Sequence, residues 1–247
     1  MIEHAQADPR APAAETGRIT AQPDRPAASV ATGVRPLGLA RGRDALLYVP
    51  PTYRPGQPAP FVLALHGAGG EAYNGLVPLA DLAEHAGLIV LSPSSRERTW
   101  DSILGGFGPD IEFLNRALEA TFAQVAIDPE RLAISGFSDG ASYALSLGIT
   151  NGDLFSHIIA FSPGFVAPAA QRGHPGIYIS HGTRDRVLPI ATCSRRIVPM
   201  LKHTGYEVLY HEFDGPHTVP PGVAQEAVTW FTTGRTPEIG FVPTQEI

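Results

Sequence analysis

The sequence has one cysteine, an excess of acidic over basic residues and no long apolar run. The single thiol, Cys193, excludes an internal disulfide and a metal site built from cysteines. Basic residues number 18 against 24 acidic ones, a formal net charge of −6, which disfavours a nucleic-acid partner. Apolar runs such as residues 61–65 are far shorter than the ~20 residues of a membrane-spanning helix. We therefore expect no nucleic-acid partner, no membrane partner and no metal.

The beginning of the chain differs in composition from the rest. It lacks the basic start and apolar core of a secretory signal, which predicts a cytoplasmic protein. Residues 1–35 are rich in Ala, Pro, Asp and Arg and show little periodicity, which predicts a loosely ordered N-terminal arm with one short strand at 18–20. Residues 36–234 are predicted to form a single domain, followed by a C-terminal tail at 235–247.

From residue 36 onward, strand patterns alternate with helix patterns. The predicted strands cover residues 44–50, 60–67, 88–94, 131–137, 157–164, 176–182 and 207–213, and the predicted helices cover 76–87, 109–125, 138–150, 193–205 and 222–234. Several strands are apolar throughout, as is typical of strands buried on both faces. This alternation predicts an α/β fold, with a mostly parallel central sheet and helices on both faces.

A serine lies between two glycines where a predicted strand meets a predicted helix. Gly136, Ser138 and Gly140 form the pattern Gly-x-Ser-x-Gly. A sharp turn there strains the backbone of the central residue, and small neighbours let strand and helix approach closely. In this context the pattern predicts a nucleophile elbow, which lifts the serine hydroxyl above the sheet. Because so short a pattern also arises by chance, Ser138 is a nucleophile only if suitable partner residues occur elsewhere in the chain.

A nucleophilic serine needs a base to take its proton and an acid to orient that base. In such sheets the order along the chain is Ser, then Asp or Glu, then His, each on a loop after a strand. Asp185 follows the sixth predicted strand and His217 follows the seventh. Asp214 is an alternative acid but lies only three residues from His217, and Asp153 precedes its strand instead of following it. We therefore predict Ser138, His217 and Asp185 as nucleophile, base and acid.

Acyl transfer also needs donors for the oxyanion. Backbone N–H groups at such sites are typically worth ~3–4 kcal/mol each. One donor should be the N–H of Asp139, which opens the helix after the serine. The second should come from the glycine-rich loop 66–70, which follows a predicted central strand. A flexible turn without function is the alternative for that loop.

Four segments together resemble a known family. They are LHGAGG, GFSDGASYALSLG, HGTRDRVLP and GPHTVPP. They are similar to the α/β-hydrolase fold, and within it to the phospholipase/carboxylesterase group and nearby polyhydroxyalkanoate-depolymerase-like and feruloyl-esterase-like proteins. The resemblance covers roughly residues 37–233. It implies a cofactor-free serine carboxylic-ester hydrolase with the triad Ser138, Asp185 and His217, and with the N–H groups of Ala68 and Asp139 as the oxyanion hole.

The sequence departs from that family at two points, and these concern the substrate. Thioesterase members often carry Gln where this chain has Asp139, and a carboxylate there is expected to repel anionic acyl groups. Only residues 165–175 separate the fifth and sixth predicted strands, which leaves no room for a cap domain. An open site and small soluble esters, short-chain or aromatic, are therefore predicted. Trp100 is the predicted wall of the substrate pocket, with plain surface packing as the alternative.

Three other functions remain as alternatives. A thioesterase or a serine peptidase would use the same triad, although a peptidase of this fold is expected to carry a large additional domain. A non-catalytic binding protein of this fold is disfavoured, because such proteins usually lose a triad residue and this chain has all three. The motifs leave the oligomeric state open, and they predict a small ester as the partner.

Overall fold

An eight-stranded sheet lies at the centre of the molecule, in a computed structural model that describes residues 13–24, 26 and 29–235. The strands are β1 (Gly33–Pro36), β2 (Ala45–Val49), β3 (Ala59–Leu65), β4 (Ile89–Pro93), β5 (Ile127–Phe137), β6 (His157–Phe161), β7 (Gly176–Gly182) and β8 (Val208–Phe213). Their spatial order is β1-β2-β4-β3-β5-β6-β7-β8. The pairs β1–β2 and β2–β4 are antiparallel, and all others are parallel. The predicted mostly parallel sheet is confirmed.

Helices cover both faces of this sheet. They are α1 (Ala72–Leu76), α2 (Ala80–Ala86), α3 (Asp101–Leu104), α4 (Pro109–Phe122), α5 (Asp139–Thr150), α6 (Ser194–His203) and α7 (Pro221–Thr233). One apolar core packs α4, α5 and α6 on one face, and a second packs α1, α2 and α7 on the other. Alternate residues of β3 enter the two cores, so every residue of that strand is buried, as its uniform apolarity predicts. None of the helices in the described residues is long and apolar enough to cross a membrane.

The predicted strand at residues 18–20 is wrong. The backbone there forms no strand. The N–H of Ile19 bonds instead to the side chain of Asn151 at the end of α5, and Arg18 pairs with Asp153 at 2.6 Å. The Ile19 side chain is fully buried in the core. Side-chain acceptors thus replace a neighbouring strand, and this part of the predicted loose arm is anchored on the domain.

Other boundaries differ for local reasons. The predicted helix 76–87 begins only at Ala80, as α2, because Pro78 cannot donate a backbone hydrogen bond and disfavours helical geometry before it. Three short elements, β1, α1 and α3, were not predicted as separate elements, since segments of four or five residues show too little periodicity to be recognised. Residues 1–12 of the predicted arm and 236–247 of the predicted tail lie outside the described residues.

The connection between β6 and β7 is too short to form a cap domain, as predicted. It spans residues 162–175 and contains no helix or strand. Hydroxyl groups spaced four residues apart on α5 accept hydrogen bonds from its backbone: Ser142 from Gly164, Ser146 from Ala167, and Thr150 from Ala169. This hydroxyl ladder holds the connection flat against α5.

Candidate active site

The turn from β5 into α5 holds Ser138 in a strained conformation. Its φ is 57° and its ψ is −120°, a region that residues with a side chain rarely occupy. Its N–H donates to the carbonyl of Phe161 at 3.0 Å, which fixes the turn to β6. A Cβ at Gly136 would lie 2.2 Å from the carbonyl oxygen of Gly140, and one at Gly140 would lie 2.4 Å from that of Leu65. Both glycines are therefore needed for strand and helix to meet.

The three residues of the predicted triad come together at the carboxyl end of the sheet. The Nε2 atom of His217 lies 2.9 Å from Oγ of Ser138, and its Nδ1 atom lies 2.5 Å from Oδ2 of Asp185. The Ser138 residue is 8% exposed, whereas the side chain of Asp185 is completely buried. The serine hydroxyl thus has a base on one side and limited access to solvent, and the acid is shielded from water.

Contacts between two loops bring the acid to the base. A Cβ at Gly182 would lie 2.4 Å from the carbonyl oxygen of Gly215, so the loops after β7 and β8 touch at this glycine. The N–H of Arg184 also donates to that carbonyl at 3.0 Å. The ring of Phe137 packs against the ring of His217 with centroids 4.6 Å apart. The base is therefore held by the elbow strand as well as by its own loop.

The environment of Asp185 favours the ionised carboxylate. Its Oδ1 atom accepts the backbone N–H groups of Val187 and Leu188, both at 2.8 Å. Burial alone would raise the pKa of Asp185, but the hydrogen bonds from Leu188, His217 and Val187 hold that pKa below its ordinary value. The side chain is thus a charged acceptor at neutral pH, which orients the Nδ1–H group of His217.

The predicted oxyanion loop, residues 66–70, lies directly beside the elbow. A Cβ at Gly67 would lie 3.4 Å from the Cβ atom of Ser138. Within the described part of the chain, neither the N–H of Ala68 nor that of Asp139 donates to a protein acceptor. Both predicted donors therefore remain available to a substrate oxygen, with Ala68 exposed and Asp139 half-buried.

Comparison with known families agrees with this geometry. The phospholipase/carboxylesterase family matches residues 104–232, which is just over half of the chain and includes all three residues of the predicted triad. The chain belongs to the phospholipase/carboxylesterase family. Its sheet order and helix placement are those of an α/β-hydrolase fold.

Curated relatives of this family member are fungal enzymes. Feruloyl esterase C of Emericella nidulans is 26% identical over 157 residues, which cover 60% of this chain and 57% of that protein. Probable feruloyl esterase C of Aspergillus niger is 25% identical over 169 residues, which cover 65% of this chain and 60% of that protein. The matched region thus spans less than two thirds of the length of these relatives.

Solved structures share the fold at lower identity. A CE1 ferulic acid esterase from Anaeromyces mucronatus, solved in complex with ferulic acid, has a TM-score of 0.60 at 18% identity and covers 87% of this chain and 97% of that one. Esterase PE8 has a TM-score of 0.61 at 22% identity and covers 74% of this chain and 95% of that one. Both similarities establish the α/β-hydrolase fold of this family member.

Trp100, which was predicted to form a wall of the substrate pocket, is instead buried against the oxyanion loop in this family member. Its side chain has no exposed surface. The indole N–H donates to the carbonyl of His66 at 2.9 Å, and the ring stacks on Tyr143 with centroids 5.1 Å apart. A buried indole needs an acceptor for its N–H group, and here that acceptor is in the oxyanion loop. The prediction is therefore corrected, because Trp100 supports the loop from below.

Two histidines that the sequence analysis did not select also surround the site. His66 is buried, which lowers its pKa and keeps it neutral; its Nε2 accepts the N–H of Ser95, so its Nδ1–H donates to the carbonyl of Gly67 at 2.7 Å. His181 is also fully buried and lies 3.2 Å from the carboxylate of Asp185. The signal available in the sequence was their position, since each lies near the end of a predicted apolar strand and precedes a glycine.

Proposed function

We propose that this protein is a serine hydrolase that cleaves carboxylic esters through an acyl-enzyme intermediate. The observation that carries the proposal is the continuous chain of hydrogen bonds from Ser138 through His217 to the buried carboxylate of Asp185. Two unbonded N–H groups, those of Ala68 and Asp139, complete the set of groups that acyl transfer requires. Membership of the phospholipase/carboxylesterase family supports the same chemistry.

Acylation starts when the hydroxyl oxygen of Ser138 attacks the ester carbonyl carbon. As the Oγ–C bond forms, the hydroxyl proton moves to Nε2 of His217, and the carboxylate of Asp185 stabilises the resulting imidazolium. The carbonyl oxygen becomes an oxyanion, for which Ala68 and Asp139 supply N–H donors. The bond to the alcohol oxygen then breaks, and that oxygen takes the proton from Nε2, which leaves the acyl group on Ser138.

Deacylation uses the same groups with water as the nucleophile. Nε2 of His217 takes a proton from the water molecule while the water oxygen bonds to the acyl carbon. The second tetrahedral intermediate is stabilised by the same N–H donors. It collapses when the bond to Oγ of Ser138 breaks and Oγ takes the proton back from Nε2. The carboxylic acid leaves, and the free enzyme is restored.

The surface around the site favours small soluble esters with short-chain or aromatic acyl groups. The 162–175 connection leaves the serine without a covering domain. Large apolar side chains are exposed on segments that follow strands at the same edge of the sheet: Tyr73 on α1 after β3, Leu104 on α3 after β4, and Val187 on the loop after β7. Such a rim suits an apolar or aromatic substrate. The names of the curated relatives point to feruloyl esters as the first aromatic substrates to test.

Labelling with a fluorophosphonate probe tests this proposal, with turnover of p-nitrophenyl acetate, p-nitrophenyl butyrate and methyl ferulate measured in parallel. We expect the adduct on Ser138, and we expect S138A and His217→Gln to lose activity by at least ~10⁴-fold. His203→Gln is the matched control, because His203 is exposed on α6. Folded wild-type protein with neither an adduct nor turnover would instead be a binding protein. Faster turnover of a matched thioester would identify a thioesterase.

A further inference from the structure

We propose that residues 98–100, which lie between β4 and α3, hold the two oxyanion donors in register and that Thr99 is the positioning residue. This segment is called the oxyanion clasp below. The inference rests on the proposed function, since a clasp has a catalytic role only if Ala68 and Asp139 receive an oxyanion. It extends that function by assigning a role in transition-state stabilisation to side chains that do not contact the substrate.

Each residue of the clasp bonds to one side of the oxyanion site. The carbonyl of Arg98 accepts the N–H of Gly69 at 2.7 Å. The hydroxyl of Thr99 donates to Oδ2 of Asp139 at 2.7 Å. The indole of Trp100 donates to the carbonyl of His66 at 2.9 Å. Two of the contacts therefore flank Ala68 in the chain, and the third holds the residue that provides the other donor.

The glycine-rich loop needs such an anchor. Glycines at 67, 69 and 70 give it great backbone freedom, and Gly69 has a positive φ of 72°. Bonds at His66 and at Gly69 restrict the chain on both sides of Ala68. An oxyanion hole works through preorganised donors. An N–H group whose position fluctuates therefore stabilises the oxyanion much less. A displacement of ~1 Å in a catalytic group can cost ~10²-fold in rate.

The clasp is itself fixed to the helix that begins at the nucleophile. The ring of Trp100 stacks on Tyr143 of α5, and the hydroxyl of Tyr143 donates to Asp101 at 2.9 Å. The N–H of Asp101 in turn donates to the buried carboxylate of Asp110 at 2.7 Å. The serine turn, the clasp and the oxyanion loop thus share one rigid support, so that their relative positions are set before substrate binds.

Substitution at the contact between Thr99 and Asp139 can distinguish a residue that positions Asp139 from one that only stabilises the fold. Both residues are only half-buried, so water can replace the hydroxyl when it is removed, and no buried group is left unpaired. A contact that only stabilised the fold would change the melting temperature when removed. A contact that positions Asp139 would change the rate of acyl transfer and the binding of tetrahedral analogues while leaving the melting temperature almost unaltered.

The experiment compares Thr99→Val, which keeps the shape and loses the hydroxyl, with Thr99→Ser, which keeps the hydroxyl. We expect Thr99→Val to lower kcat for p-nitrophenyl butyrate by about tenfold while KM stays within about twofold, because the contact acts on the transition state. Inhibition by phenylboronic acid, which forms a tetrahedral adduct with a nucleophilic serine, should weaken by a similar factor. Thr99→Ser should restore both. Thr204→Val, which removes an exposed hydroxyl at the end of α6, is the control.

Each result supports or overturns the clasp. An active wild type together with a Thr99→Val variant of unchanged kcat and boronate affinity overturns it and leaves the proposed function standing. A Thr99→Val variant that loses melting temperature and raises only KM shows a structural contact, which also overturns it. Wild-type protein with no turnover and no fluorophosphonate adduct overturns the proposed function and the clasp together. Trp100→Phe is a second variant, for which we expect a larger loss of kcat and a lower melting temperature.

Discussion

The Nε2 atom of His181 lies 3.2 Å from Oδ2 of Asp185, and both side chains are completely buried. The same nitrogen lies 2.8 Å from the carbonyl oxygen of Leu188, which can only accept, so the proton is on Nε2. Nδ1 therefore accepts from the hydroxyl of Ser194 at 2.7 Å, and burial lowers the pKa of His181 so that the ring is neutral. His181 thus braces the loop that carries the proposed triad acid.

Replacement of His181 by Leu is expected to reduce both activity and stability. The carbonyl of Leu188 and the hydroxyl of Ser194 would lose a buried partner, which typically costs ~1–3 kcal/mol for each group. Without the brace, the carboxylate of Asp185 is freer to rotate away from His217, so kcat should fall. Ester turnover and thermal melting of the variant measure these two effects.

A second variant shows whether His181 acts through its hydrogen bond to the Leu188 carbonyl or only through the volume that it fills. His181→Gln keeps an amide N–H that reaches towards the Leu188 carbonyl, so it should recover part of the lost kcat. His85→Leu, on the exposed surface of α2, is the control and should match wild type. A Leu variant that remains folded at the assay temperature with wild-type kcat would show that Asp185 needs no help from His181.

The contribution of Asp110 to the stability of the protein is expected to fall as the pH rises from 5 to 8. This carboxyl is 2% exposed, and burial together with the nearby charge of Asp101 raises its pKa from 3.8 to about 6. A raised pKa means that the folded state binds the proton more tightly than the unfolded state. The resulting stabilisation is complete below the unfolded pKa and is lost as the pH passes through the folded pKa.

The expected loss between pH 5 and pH 8 is roughly 1.4 kcal/mol, because each pH unit of full titration is worth about 1.4 kcal/mol. Denaturant unfolding of wild type and Asp110→Asn at the two pH values isolates this contribution, since the variant cannot titrate there. The variant loses one of the two backbone N–H acceptors at this position, so it should be less stable at both pH values. The difference between the proteins should narrow at pH 8. A constant difference would contradict the raised pKa.

The sequence was sufficient for the elements that carry a periodic or positional signal. The apolar strands, the Gly-x-Ser-x-Gly turn and the order of Ser138, Asp185 and His217 follow from rules of spacing, and the structure brings the three side chains together. The roles of Thr99 and Trp100 depend on which loop lies across from them. That relation is set by the parallel register of β3, β4 and β5, which no local pattern encodes.

The error at Trp100 shows this limit in physical terms. A tryptophan on a loop at the carboxyl end of a strand suits a pocket wall as well as a buried support. Its place was decided by Tyr143, which offers a stacking face on α5, and by the carbonyl of His66, which offers an acceptor. The burial of Ile19 has a similar origin, because its backbone bonds to Asn151, more than a hundred residues away in the chain.

The glycines of the serine turn are expected to differ sharply from a surface glycine in their tolerance of alanine. A Cβ at Gly140 would lie 2.4 Å from the carbonyl oxygen of Leu65 and 2.5 Å from that of His66, both of them backbone atoms that cannot move aside independently. Gly140→Ala should therefore abolish activity and destabilise the protein by several kcal/mol, about the upper range for one substitution.

Gly222→Ala is the matched control for that substitution. Gly222 lies in the first turn of α7, and a Cβ there meets no atom within 4 Å. Alanine has the better helix propensity and restricts the unfolded chain, so this variant should be more stable by about 0.5–1 kcal/mol with unchanged turnover. Melting temperatures and p-nitrophenyl butyrate turnover of both variants give the comparison. An active, stable Gly140→Ala protein would mean that the elbow and β3 are less tightly packed than described.

The hydroxyl ladder on α5 is expected to control the order of the 162–175 connection. Ser146 is fully buried, donates to the carbonyl of Ser142 at 2.8 Å and accepts the N–H of Ala167 at 2.9 Å. In Ser146→Ala the N–H of Ala167 loses its protein acceptor, and because Ala167 is exposed, water replaces that acceptor. The expected cost is therefore the net value of a typical hydrogen bond, about 0.5–1.5 kcal/mol. Amide hydrogen exchange should therefore accelerate in residues 163–170 more than in the sheet.

The control for the ladder is Thr232→Ala on α7. The Thr232 hydroxyl donates to the carbonyl of Val228, four residues back, just as Ser146 donates within its own helix, and within the described residues it accepts no bond from another segment. Its loss should leave exchange in 163–170 unchanged. Because the connection follows β6 beside the serine turn, the Ser146 variant should also lose more kcat/KM on methyl ferulate than on p-nitrophenyl acetate. Equal losses on the two esters, with unchanged exchange, would show that the connection holds its position without the ladder.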